Sequence, residues 1–161
     1  MTPVRLWIGL GGYWLAAVAI LVVARPAPDL VASAGLRATA GAVAGLMLFA
    51  ALARRMPASA PPPALVLVIV ASAAAEEIVW RGFVLTQIAD HVSAAAGLAA
   101  STCLFAIAHG RLRFSRVAAG AVFGGVYLAG GGILGAACAH AVYNTGVAGA
   151  VAARAVPVRG G

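Results

Sequence analysis

Polar positions are so sparse in this chain that its apolar stretches can be read straight off the sequence. Runs of mostly Ala, Val, Leu, Ile and Gly cover about 6 to 24, 38 to 53, 64 to 88, 93 to 109, 117 to 130 and 133 to 153. A helix needs about 20 consecutive apolar residues to cross a bilayer, so the pattern predicts about six membrane spans. The second and fifth are short. The breaks between runs carry residues that stop or start helices: Pro26 and Pro28 after the first, Pro57 after the second, Pro61-Pro62-Pro63 before the third, and Gly130-Gly131-Gly132 between the last two. The first run follows Arg5 and has the outline of a secretory signal. It exceeds the roughly 7–15 apolar residues of such a segment, which predicts a retained span. No stretch remains for a soluble domain. The predicted fold is all-α, a multi-pass transmembrane helical bundle forming a single membrane domain over residues 1–161.

Composition sharpens this. The chain is 63% hydrophobic and 9% charged, against about half apolar and a quarter charged in soluble domains. Its net charge of +7 comes from eleven cations, all Arg, against four acids. The arginines do not form a nucleic-acid patch. If the spans alternate, Arg5, Arg54, Arg55, Arg111, Arg113, Arg116, Arg154 and Arg159 share one face, and only Arg25 and Arg37 lie on the other. The bias of arginine toward cytoplasmic loops then places both termini in the cytoplasm, with the bilayer as the partner. Cys103 and Cys138 fall inside predicted spans and give no disulfide framework. Gly41 with Gly45 and Gly120 with Gly124 have the G-x-x-x-G spacing that lets membrane helices approach closely, within a chain or between two.

The acids hold the chemistry. Glu76 and Glu77 stand side by side inside the third run, where a carboxylate costs roughly 2.5–3.5 kcal/mol on insertion scales and is normally kept for function. Glu77 and Arg81 are four apart with the acid first, the favoured order for an ion pair. Glu76 points about 100° away around the same helix. Phe105 and His109 at the end of the fourth run, and His140 and Asn144 in the sixth, are again four apart and share a helix face. If the three helices pack together, Glu76, His109, His140 and Asn144 converge on one polar intramembrane cavity. Such a set suits hydrolysis: a poorly solvated carboxylate as general base toward water, an imidazole to hold that water, and a second imidazole with an amide to receive charge on a tetrahedral oxygen.

These segments resemble the motifs of the CPBP family of intramembrane proteases, the CAAX prenyl endopeptidase and bacteriocin-processing group: E-E-x-x-x-R at Glu76–Arg81, F-x-x-x-H at Phe105–His109 and H-x-x-x-N at His140–Asn144. The resemblance covers about Ala64 to Gly146, and the motif-bearing core is about 64 to 147. It implies that Glu76 activates the hydrolytic water with His109, that His140 and Asn144 stabilise the oxyanion, and that Glu77 and Arg81 brace the site. It implies a glutamic-type reaction without a cofactor. The zinc alternative would use Glu76, His109 and His140 as three ligands, and Cys138 beside His140 is a weaker ligand pair. The substrate implied is a membrane-anchored protein or peptide. The composition suggests a bacterium, hence its inner (cytoplasmic) membrane and the C-terminal sorting tails of exported proteins. The rival readings are a non-catalytic bacteriocin self-immunity or scaffold protein and, less favoured, a proton-coupled carrier. One tension follows from the topology: His109 ends its span on the cytoplasmic side, while Glu76 lies about 20 Å beyond Pro63; either the third helix starts well outside the membrane, which is the expectation, or the short fourth span is tilted or continues past Gly110.

Overall fold

The computed structural model describes residues 3–24, 34–53, 59–110 and 112–155. Arg25, Arg54, Arg55, Arg111, Arg159 and the breaks at Pro26, Pro28 and Pro57 lie outside the described residues, as does the Arg5 side chain, so most of the charges behind the expected topology do too.

No strand occurs among the described residues, which form α1 (Pro3–Ala24), α2 (Ala34–Ala53), α3 (Pro63–His91), α4 (Ala94–Ala108), α5 (Phe114–Val126) and α6 (Gly132–Ala155), with a π-helical turn, Tyr127–Gly131, joining the last two. Three apolar stretches are long enough to cross a membrane: Ala34–Ala53, Pro63–His91 and Phe114–Arg154, the last taking in α5 and α6. Ala94–Ala108 is apolar but shorter. The Gly130–Gly132 break is real. Gly130 and Gly132 have φ of 91° and 58°, left-handed values that glycine adopts without a Cβ clash, and α6 folds back against α5 there.

α3 opens with a proline in its first turn, where the missing N–H costs nothing. Midway it widens into a π-helical turn over Trp80–Leu85, a feature often found at functional sites. The Ser101 hydroxyl donates to the Trp80 carbonyl at 3.0 Å and the Thr86 hydroxyl to the Arg81 carbonyl at 2.7 Å. Both carbonyls in this loosened turn are thereby satisfied, as an apolar environment requires. The sequence pattern gave no sign of the turn.

Both G-x-x-x-G pairs pack helices within this chain. A methyl group at Gly41 or Gly45 would run into the backbone carbonyls of Gly135 and Ala139, so α2 lies directly on the α6 backbone. A methyl at Gly120 would press on Thr102 and Phe105 of α4, and one at Gly124 on Leu98. α1 packs on α3 around Ala17, Ala75 and Ile78. The main apolar cluster is Leu48, Phe105, Ala119, Phe123 and Ala139, drawn from α2, α4, α5 and α6.

Length sets where the site falls. α3 is 29 residues long, or about 43 Å, whereas the 15 residues of α4 span about 22 Å. Ser93 caps the start of α4 by accepting from the Ala96 N–H at 3.1 Å, and its end is closed by Gly110 at φ 93°. α4 therefore does not continue past Gly110. The turn into α5 meets α3 partway along its length, beside Glu76 rather than beside Pro63.

Candidate functional site

Adjacent glutamates on one helix must face different neighbours, and here each finds a histidine. Glu77 is completely buried. Its Oε1 lies 2.8 Å from His140 Nδ1 on α6, and its Oε2 lies 3.2 Å from Arg81 Nε one turn further along α3. Arg81, also fully buried, donates from Nη2 to the Gly120 carbonyl at 2.8 Å, and its guanidinium lies 5.0 Å from the Phe105 ring centre and 5.8 Å from that of Phe123. One carboxylate thus ties α3 to α6, and its cation ties α3 to α5 and α4. Two opposite charges in contact, with the cation set against aromatic rings, make burial tolerable where either alone would not be.

Glu76 looks the other way. Its Oε2 lies 3.3 Å from His109 Nε2, with the histidine side chain 32% and the glutamate 13% exposed. His109 sits just past the end of α4, and its Nδ1 lies 2.8 Å from the Phe105 carbonyl. A carbonyl only accepts, so Nδ1 carries a hydrogen. The approach of Nε2 to Glu76 is then favourable when one proton is shared between the two, held by the ring or by the carboxyl.

Beside this pair opens a cavity of about 250 Å³, among whose lining residues are Phe105, His109, Arg113, Arg116, His140 and Asn144. The expected face of His140 with Asn144 and that of Phe105 with His109 meet there. Glu76 itself does not line the cavity and reaches it through His109. His140 is held by Glu77, not by Glu76, and stacks on Phe123 with ring centres 4.6 Å apart. The cause is helical phase: with Glu77 turned toward α6, Glu76, about 100° around, must turn toward the end of α4. Of the four residues expected to converge, three share the cavity wall and the fourth stands behind one of them.

The same phase separates the alternative zinc ligands. Among the described residues no three His, Cys, Asp or Glu side chains group closely enough to hold a metal ion.

Arg113 and Arg116, which read in the sequence as cytoplasmic loop charges, also line the cavity.

Residues 58–146, more than half of the chain, match the family of Type II CAAX prenyl endopeptidase Rce1-like proteins. The protein belongs to this family and is a membrane-embedded peptidase by class, a hydrolase acting on a peptide substrate in a lipid bilayer. The matched region holds Glu76, Glu77, Arg81, His109, His140 and Asn144. Among curated proteins and among solved structures nothing matches the chain.

Proposed function

We propose that the protein is a compact intramembrane endopeptidase in which Glu76 and His109 together activate water, without a metal and without a covalent nucleophile. The observation that carries this reading is the 3.3 Å contact between Glu76 and His109 at the edge of a cavity that also holds His140 and Asn144. The Glu76–His109 pair accepts a proton as the water oxygen bonds to the scissile carbonyl carbon. The tetrahedral oxygen faces His140 and the Asn144 amide. His140 has Nδ1 on Glu77, so it donates to that oxygen from Nε2 only with both ring nitrogens protonated, and Glu77 is the counter-charge this state needs. Preorganised donors of this kind are usually the largest single source of rate enhancement. Collapse breaks the C–N bond, and the proton held by the pair passes to the leaving amine. Glu77 and Arg81 act as a brace, fixing α3, α4, α5 and α6 around the cavity.

In the membrane we assign six passes, all in one domain over residues 1–161, with both termini in the cytoplasm of a bacterial inner membrane. Leu65, Leu67, Val68 and Val70 stand exposed on the first turns of α3. Apolar exposure there suits lipid, so in this reading α3 starts at the membrane surface rather than well outside it, and the α4–α5 turn is recessed. The substrates are the C-terminal sorting tails of exported membrane-anchored proteins.

Mass spectrometry of membrane-protein C-termini tests this, in cells carrying the active chain or Glu76→Gln. Tails shortened only with the active chain are the expected result. Identical C-termini in both would remove the peptidase reading and leave a scaffold or immunity role.

A further inference from the structure

Tyr13 carries a polar group at a depth where none is expected. It lies halfway along α1 (Pro3–Ala24), away from the membrane surfaces where tyrosine is enriched, and it faces α3, packed on the cluster of Ala17, Ala75 and Ile78. A phenol oxygen brought into such an interface is costly unless it is hydrogen-bonded. Its surroundings supply the partners. Glu76 and Trp80 are four apart and share a face of α3. From the α4 side that face receives His109, 3.3 Å from Glu76, and Phe105, whose ring meets that of Trp80 edge-on with centres 6.3 Å apart. From α1 it receives Tyr13, whose ring centre lies 6.4 Å from that of Trp80. The Trp80 Nε1–H is buried without a well-formed bond to an acceptor among the described residues, and the Tyr13 hydroxyl is the oxygen that interacts with it. The charge acting on the same hydroxyl is that of Glu76.

We propose that Tyr13 is a positioning residue for the base: its oxygen takes the Trp80 N–H, and its own O–H is turned to the Glu76 carboxylate, directly or through one water. An indole N–H only donates, whereas a phenol both accepts and donates. The order Trp80, Tyr13, Glu76 is therefore the one in which each hydrogen finds an acceptor, and a bridging water would serve nearly as well as direct contact. The carboxylate is then held from two helices, by His109 at the end of α4 and by Tyr13 of α1, so its direction is set before a substrate arrives. α1 lies outside residues 58–146, the part of the chain that matches the family. The first helix thus takes part in the reaction although it carries none of the motif residues. This rests on Glu76 being the base in the hydrolytic reading.

The test separates orientation of the base from packing of α1. The full chain in phosphatidylcholine nanodiscs is assayed on a tail peptide that the parent cleaves, as the parent, Tyr13→Phe, Glu76→Asp and the double variant, with thermal unfolding followed on the same samples. Tyr13→Phe keeps the ring against Trp80 and removes only the oxygen. It should lower kcat about tenfold or more, the scale of one hydrogen bond to a charged group, with KM and the melting temperature close to the parent's. In the Glu76→Asp chain, whose shorter carboxylate is withdrawn from the hydroxyl, the same change should cost less than about twofold, because groups that act as a unit are not additive. Trp14→Phe, at the neighbouring exposed position of α1, should leave kcat unchanged. A parental kcat in Tyr13→Phe, a loss that appears in KM or in the melting temperature instead, an equal loss in both backgrounds, or the same loss from Trp14→Phe overturns the proposal. Glu76→Gln is read beside these. If it is inactive while Tyr13→Phe is unimpaired, the positioning role fails and the hydrolytic reading stands; if it cleaves at the parental rate, the base lies elsewhere and both fall.

Discussion

Glu76 and Glu77 are chemically identical neighbours with opposite surroundings. Glu77 is sealed between Arg81 and His140 with both oxygens committed, while Glu76 keeps some exposure and touches a half-exposed histidine at the edge of a cavity. The first arrangement holds helices together, and the second can exchange a proton with something that enters. In the proposed mechanism, one residue of helical phase, about 100°, separates a brace from a base. That contrast is open to attack from both sides.

The largest effect should come from the buried side. Arg81→Ala leaves buried Glu77 with His140 alone and the Gly120 carbonyl without its donor, and should cost about 3–5 kcal/mol, seen as loss of folded chain on detergent size-exclusion chromatography. If Arg81→Ala folds and melts like the parent, Glu77 is not braced and the contrast loses one half. Asn144→Ala comes next. Removing one oxyanion donor should lower kcat about 10²–10³-fold while leaving the melting temperature close to that of the parent, and an unchanged kcat would take Asn144 out of the site. Gly45→Val should follow, because a side chain there meets the Ala139 carbonyl. Overpacking of this kind costs about 1–3 kcal/mol, and thermal unfolding in micelles reads it. His91→Ala should do least. His91 is exposed in the last turn of α3, with its ring against the Gln87 carbonyl, and a surface change of this type stays within about 0.5 kcal/mol.

Much of this was legible in the sequence, and for physical reasons. Where backbone groups must be satisfied within a segment, apolar runs become helices, so Pro63 and Gly130–Gly132 mark ends that the structure keeps. The i, i+4 spacing of Glu77 with Arg81 fixed their pairing, and that of His140 with Asn144 fixed their shared face. What the pattern does not encode is how helices are rotated against one another. The assignment of His140 to Glu77 rather than Glu76 depends on that rotation, and so does the place of Glu76 behind His109. The π turn at Trp80–Leu85 depends on partners twenty or so residues away, such as Ser101 with the Trp80 carbonyl, and no local periodicity announces it. G-x-x-x-G spacing shows that a backbone approaches closely but not whose; here Gly41 and Gly45 meet α6 of the same chain.

The most direct test takes Glu76→Gln and Glu77→Gln side by side, each purified and assayed on a tail peptide that the parent cleaves, with thermal unfolding followed on the same samples. Glu76→Gln should lose about 10²–10⁴-fold in rate, the range set by a general base, and unfold at the parent's temperature, whereas Glu77→Gln should unfold at a clearly lower one. A Glu76→Gln chain that still cleaves at the parental rate, or two variants that behave alike, would contradict the account.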